Sequence, residues 1–213
     1  ALEALYLTEH LDREPYCKSK EIATKADLTW QKALRFLEAV QKMPETQNGT
    51  WVVTEENDGG FIYKPTESKA SLKYHDETLR SYGSMTYAGL KSMIYADVKK
   101  DDPRVRAAVE WAARHYTLDE NPGMGPEGHY YYLQTFAKAH AAFGNETVRE
   151  PDGTMHFWRQ DLIKTLLKKQ HGDGSWINQK SGRWQESIPE LVTAYSLLSM
   201  EIALGNCINA ELP

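Results

Sequence analysis

The segment Gln170-His171-Gly172-Asp173-Gly174-Ser175-Trp176 separates two stretches of helical periodicity. The stretch before it, 158–170, has an apolar stripe with lysines outside, as in an amphipathic helix. The stretch after it, 190–204, has few charges on any side, which is typical of a buried helix. The glutamine can donate to carbonyls left unpaired at the helix end, Gly174 permits a tight turn, and Trp176 can lie back over that end. The segment therefore predicts a helical hairpin.

The same alternation occurs twice more toward the N terminus. Amphipathic helices are predicted at 28–43, with Asp27 as the N-cap, and at 103–116. Buried helices are predicted at 82–95 and 129–143, where small and aromatic residues replace charges. These patterns predict an all-α protein.

The three buried stretches share a short motif built on threonine. Its copies are Thr86-Tyr87-Ala88, Thr135-Phe136-Ala137 and Thr193-Ala194-Tyr195. The copies are about 50–60 residues apart, which is in the range of helical repeats. We therefore predict one domain over 1–213, with hairpin repeats near 28–96, 103–144 and 157–205 and an extra N-terminal helix at 1–11.

Composition excludes several classes of function. The 213 residues have a net charge of −5 and no long basic stripe, so a nucleic-acid surface is not expected. The longest strongly apolar run, Leu191–Met200, is too short to cross a bilayer. The two cysteines, Cys17 and Cys207, imply no disulfide framework but leave a single bridge open. A soluble protein is expected, and export with a removed signal peptide stays open because the chain begins at Ala1.

Two segments combine an apolar residue, a glutamine and Gly-x-Trp. They are Phe36-Leu37-x3-Gln41-x7-Gly49-Thr50-Trp51 and Leu166-x3-Gln170-x3-Gly174-Ser175-Trp176. This pattern resembles the QW repeat of the superfamily of squalene-hopene cyclases, oxidosqualene cyclases and protein-prenyltransferase β-subunits. The stretches 79–90, 101–105 and 116–125 also look like cyclase-like bacterial proteins of this repeat class.

The resemblance implies an α/α toroid, with inner and outer rings of helices around an apolar cavity. In that fold Gln41, Trp51, Gln170 and Trp176 would be structural. Three hairpins make only part of a ring. The chain would then be a fragment, an open arc, or half of an assembly such as a homo-oligomer.

The catalytic motifs of the superfamily are missing. No Asp-x-Asp-Asp acid occurs, and Asp101-Asp102 before Pro103 is explained by helix capping. Neither cysteine has the Asp-x-Cys partner of the zinc prenyltransferases, and no histidine pair has i, i+4 spacing. No metal or cofactor is expected, and whether the protein is an enzyme is left open.

In such a fold the N-terminal ends of the inner helices face the mouth of the cavity. Aromatic walls there can stabilise cations, and tyrosine and histidine can act as base and acid. A plain packing role for the same side chains is the alternative. The catalytic candidates are His75, Asp76, Tyr82, His129 and Tyr130, and the cavity candidates are Arg80, Glu127 and Tyr131.

Three functions follow as alternatives. The first is a repeat domain that binds an apolar, isoprenoid-type ligand in a central cavity without the known chemistry. The second is an active terpenoid cyclase, or a carbohydrate lyase or hydrolase, with a different catalytic set. The third is a helical interaction scaffold.

Overall fold

The computed structural model describes residues 18–43, 58–70 and 79–205, with isolated positions 4, 6, 7, 11 and 15 before them. For 22–24 and 26–28 it describes the backbone alone. Most of the predicted N-terminal helix at 1–11 and both cysteines lie outside these residues.

The described part is mostly helical, which confirms the all-α prediction. The helices are α1 (Lys20–Val40), α2 (Gly83–Tyr95), α3 (Pro103–Arg114), α4 (His129–Phe143), α5 (Trp158–Lys169) and α6 (Pro189–Leu204). A two-stranded antiparallel hairpin joins β1 (Val148–Arg149) to β2 (Met155–His156), with Val148 opposite His156. A tight turn covers Arg183–Gln185, and the backbone of Trp184 in it is not helical.

The helix starts show where local signals act. Asp102 caps α3 by accepting the Arg104 N–H at 2.9 Å, with Pro103 in the first turn. The predicted cap at Asp27 is wrong, because α1 already begins at Lys20. No glycine or proline lies between the two positions to stop the helix, and Glu21 in its first turn favours the earlier start.

The helices pack in two layers. Helix α4 lies between α2 and α6 and contacts both extensively, so α2, α4 and α6 form one layer, which we call the inner layer. Helices α1 and α3 pack on α2, and α5 packs on α6. Helix α3 thus packs chiefly on the inner helix that precedes it and not on α4, the inner helix that follows it.

The core between the layers is aromatic. Tyr87 of α2 and Phe136 of α4 meet edge to face with ring centroids 5.1 Å apart, and Trp158 of α5 lies 6.0 Å beyond Phe136. All three are fully buried. Such edge-to-face pairs add to the stability from burial alone, so this cluster holds both layers together.

Two loops end in the same turn, and we call them the first and third corners (residues 58–61 after α1 and 173–176 after α5). In the third, Gln170 Nε2 donates to the Gly174 carbonyl at 2.9 Å, and Gly174 has φ +88°. In the first, Gln41 Nε2 donates to the Gly59 carbonyl at 3.0 Å, and Gly59 has φ +84°. Only glycine adopts that backbone without strain, so the two glycines are required for the same reason.

The aromatic residue after each turn is anchored on an inner helix. The Phe61 N–H donates to Thr86 Oγ1 and the Trp176 N–H donates to Thr193 Oγ1, each at 3.1 Å. Trp176 also donates its indole N–H to the Leu166 carbonyl in the last turn of α5, at 2.8 Å. Phe61 therefore occupies in the first corner the position that Trp176 has in the third.

Candidate functional site

A cavity of about 410 Å³ opens beside the N-terminal ends of α2 and α4. Its wall is largely aromatic, with contributions from Tyr63, Tyr82, Tyr131, Trp184 and Tyr195. The volume falls in the range typical of sites for small organic ligands. We call it the aromatic cavity.

Tyr82 and Tyr131 enter the aromatic cavity from neighbouring inner helices. Tyr82 precedes α2 in an extended conformation, with φ −153°, and is 3% exposed. Burial raises the pKa of its hydroxyl above the ordinary value, so the phenol stays neutral. Tyr131 in the first turn of α4 is more open and meets Tyr195 of α6 edge to face at 6.1 Å. The inner layer thus presents aromatic rings from three helices.

The loop that carries Trp184 is strained. Trp184 and Gln185 have φ values of +54° and +65°, in the left-handed region that costs a non-glycine residue roughly 1–2 kcal/mol. The Trp184 ring lies against Gly128, where any added Cβ would come within 2.9 Å of it. The Arg183 guanidinium covers the same ring at 4.4 Å. Such strain is typical of functional sites, and here it holds an indole at the cavity wall.

A buried carboxyl also lines this cavity. Glu186 is 1% exposed, and its Oε1 accepts the Tyr131 N–H at 2.9 Å. Its Oε2 accepts from Asn178 Nδ2 at 2.7 Å. Burial raises the pKa of Glu186, while the N–H groups of the first turn of α4 act in the opposite direction. Glu186 therefore serves as the acidic cap of α4, supplied from a distant loop.

A second cavity, of about 260 Å³, has a different character. Its lining includes Asp119, Glu120, Lys169, His171 and Lys180, and we call it the charged cleft. His129 and Tyr130 also line it, whereas their neighbour Tyr131 lines the aromatic cavity. The first turn of α4 therefore separates the two cavities.

His129 and Tyr130 are largely buried at the floor of the charged cleft. His129 Nε2 is 3.0 Å from the Leu118 carbonyl, which assigns the proton to that nitrogen. Burial, and then the charge of Lys169, lowers the pKa of His129 to about 4. Burial raises the pKa of Tyr130 to about 12. Both side chains are therefore neutral at pH 7.

The structure divides the predicted site residues among several places. Tyr82 and Tyr131 line the aromatic cavity, whereas Glu127 lines neither cavity and accepts from Arg183 at 2.5 Å. Arg80 lines neither cavity, and its carbonyl accepts from Ser68 Oγ at 2.5 Å. The remaining candidates His75 and Asp76 lie outside the described residues, as does Trp51.

Sequence reasoning missed Trp184, Glu186, Tyr63 and Tyr195 of the aromatic cavity. Trp184 and Glu186 lie in a loop without periodicity, and Tyr63 follows a short apolar run after the first corner. The sole available signal was the Arg-Trp-Gln-Glu run in a loop that is otherwise small and polar. Their common location depends on long-range packing, such as the contact between Glu186 and Tyr131.

The middle repeat lacks the corner and uses a buried asparagine instead. Asn121 is fully buried, and its Oδ1 accepts the Ser84 N–H at 3.0 Å. Its Nδ2 donates to the Glu127 carbonyl at 3.0 Å. Asn121 thereby ties the loop before α4 to the start of α2, next to both Tyr82 and Gly128.

Two negative findings hold for the part of the chain that the structure describes. No group of three histidine, cysteine, aspartate or glutamate side chains there is placed to hold a metal ion. None of the helices described there is long and apolar enough to cross a bilayer.

Comparison with known proteins identifies no relative. No family model matches the chain, and neither a curated protein nor a solved structure matches it. The interpretation of the site thus depends on its own geometry.

Proposed function

We propose that the chain forms part of an α/α toroid of the cyclase and prenyltransferase type, and that its aromatic cavity binds a small apolar ligand of the isoprenoid class. The observation that carries the proposal is the wall of five aromatic side chains around about 410 Å³ at the N-terminal ends of the inner helices. A ligand in this position would contact inner helices α2, α4 and α6 together.

The repeat supports a partial ring. Leu90 of α2 and Ala139 of α4 occupy equivalent positions relative to the repeated threonines and are 2% and 0% exposed. Leu197 holds the same position in α6 and is 54% exposed. Helix α6 therefore exposes an apolar face whose equivalent is buried in α2 and α4. Such a face is expected where the next hairpin of a ring would pack.

The charges at the aromatic cavity already have partners. The carboxylate of Glu186 accepts from Tyr131 N–H and Asn178, and Lys69 pairs with Glu67. The ligand therefore need not bring a charge of its own. Aromatic faces and the Met85 side chain favour a hydrocarbon body.

The proposal is tested by titrating the full chain with farnesol and following Trp fluorescence and native mass spectrometry. We expect saturable one-to-one binding that weakens at least tenfold in Tyr131→Ala. Leu197→Ala is the matched control, because it also removes an exposed apolar side chain from an inner helix and should leave the Kd unchanged. Absence of saturable binding, or equal effects of both variants, would overturn the proposal.

Glu186 favours a second candidate, an enzyme that uses the same cavity. A buried carboxyl with a raised pKa that lines the same cavity as Tyr82 is the kind of group that can donate a proton to a bound substrate. In this case the protein would convert the isoprenoid. The Glu186→Gln variant would still bind the isoprenoid but would no longer convert it. Recovery of unchanged ligand from the wild-type protein contradicts this candidate alone.

A further inference from the structure

We infer that the charged cleft is a second, independent binding site, which takes a small oxyanion, either a carboxylate or a phosphate group. The inference does not depend on the ligand proposed for the aromatic cavity. It follows from the cations that line the cleft and from the rigid elements that position them.

Lys169 and Lys180 both line the charged cleft, and His171 lies beside them. Neither lysine ammonium makes a hydrogen bond or ion pair with any part of the chain that the structure describes. Lys169 is half-buried, and burial lowers its pKa. The charge of Asp119 acts in the opposite direction, and the weaker effects of Lys180 and Lys168 add to that of burial. The fold thus holds two mutually repelling cations at one cleft, an arrangement that a bound anion would stabilise.

The acidic residues at the cleft do not form ion pairs with the two lysines. Asp119 and Glu120 line the same cleft, and Asp119 acts on Lys169 by favouring its charged form. Neither carboxylate lies within the 4.0 Å of a lysine nitrogen that an ion pair requires. The N–H donors of the two lysines therefore stay available for a ligand.

The backbones of both lysines are fixed. Lys169 ends α5, one residue before the Gln170 that closes the third corner. Lys180 follows Asn178, whose Oδ1 accepts the Lys180 N–H at 3.1 Å. The Asn178 side chain is itself held, because its Nδ2 donates to the Pro126 carbonyl at 2.7 Å. Sites on such supported elements lose less entropy when they bind a ligand.

The rest of the lining suits a small polar ligand. His129 and Tyr130 form a neutral floor, and the volume of about 260 Å³ accommodates a compact molecule. His171 lies at the rim and its backbone N–H donates to Ser175 in the third corner at 2.9 Å. An oxyanion held by the lysines would thus also contact neutral groups.

The test is calorimetric titration of the full chain with inorganic phosphate and with acetate, at constant ionic strength. We expect saturable binding of at least one of them, weakened tenfold or more in Lys169→Gln and in Lys180→Gln. Lys168→Gln is the matched control, because it removes the same charge from the exposed neighbouring position of α5. Tighter binding of phosphate or of acetate identifies which oxyanion the site prefers.

A thermal shift assay shows whether each variant is folded, and it separates anion binding from ligand binding in the aromatic cavity. The saturating anion should raise the Tm of the wild-type protein, of Lys168→Gln and of Tyr131→Ala, and should leave that of Lys169→Gln unchanged. Tyr131→Ala separates this site from the proposed isoprenoid site. No saturable binding of either anion, or equal weakening in Lys168→Gln and Lys169→Gln, overturns the inference.

Discussion

Three connections lead into the inner helices, and they are held by different side chains. They are the first corner, the third corner and the loop before α4. The connection between Gln41 and Asp58 is much longer than that between Gln170 and Asp173. Both corners nevertheless make the same hydrogen bonds, in which the glutamine donates and the aspartate and threonine accept backbone N–H groups. The middle loop at 115–128 has none of these and is held by Asn121. That loop also supplies wall residues to both cavities. The repeated corners therefore stabilise the layers, and the loop that departs from them shapes the sites.

The largest effect is expected from removing the indole of the third corner. Trp176 is 2% exposed and caps the Leu166 carbonyl, so Trp176→Ala should lower the free energy of unfolding by about 3–5 kcal/mol. Urea unfolding measures the change. Trp184→Ala, which removes a half-exposed indole from the aromatic cavity, should cost much less. Equal losses in the two variants would remove the distinction between corner and site.

The buried histidines of α4 should make stability depend on pH. Burial lowers the pKa values of His129 and His140 to about 4, below the unfolded value near 6.5. The unfolded chain therefore binds protons first as pH falls, and stability that is complete above pH 6.5 is lost as pH approaches 4. Each histidine should contribute about 2–3 kcal/mol to this loss.

The contribution of the two histidines to the pH dependence can be measured with variants that lack a titrating side chain. His129→Gln keeps a neutral N–H donor for the Leu118 carbonyl, and His140→Phe keeps an aromatic ring between Phe136 and Trp158. Denaturation of the double variant between pH 7 and 4 should show a flatter profile than the wild type. A profile as steep as that of the wild type would show that other groups cause the loss.

The repeated threonines provide the finest comparison. Thr86→Val and Thr193→Val should each cost about 1 kcal/mol, because each leaves the N–H of a buried aromatic residue without its acceptor. Thr135→Val should cost less, since Thr135 donates to the Tyr131 carbonyl of its own helix and supports no corner. Equal losses from all three, measured by thermal unfolding, would contradict a special role for the corners.

Local signals in the sequence were sufficient for the presence of the six helices and for the third corner, but not for the start of α1. Periodicity located the six helices, and Asp102-Pro103 marked the start of α3. The partner of Gln41 could not be deduced in the same way. The nearest Gly-x-Trp follows at Gly49–Trp51, whereas the glycine that Gln41 contacts is Gly59, after an insertion whose length no local pattern limits.

The sequence predicted only part of the candidate site. Tyr82 and Tyr131 were identifiable because each stands at the start of a buried helix, and those starts meet when the inner helices pack side by side. The sequence did not predict that His129 and Tyr130 line a different cavity from Tyr131. Consecutive residues in the first turn of a helix point in different directions. One turn of α4 thus serves two cavities of opposite character.

The sequence by itself determined the presence of the helices, their alternation and the residues of the third corner, because these depend on contacts within a few turns of the chain. The tertiary structure alone decided that Glu186 caps α4, that a strained Trp184 closes the aromatic cavity, and that Lys169 and Lys180 share a cleft. Glu186 and Trp184 lie far in sequence from the start of α4 that they contact, and Lys180 lies in a loop without periodicity. Their geometry exists only once packing has brought the layers together, and no periodicity in the chain encodes it.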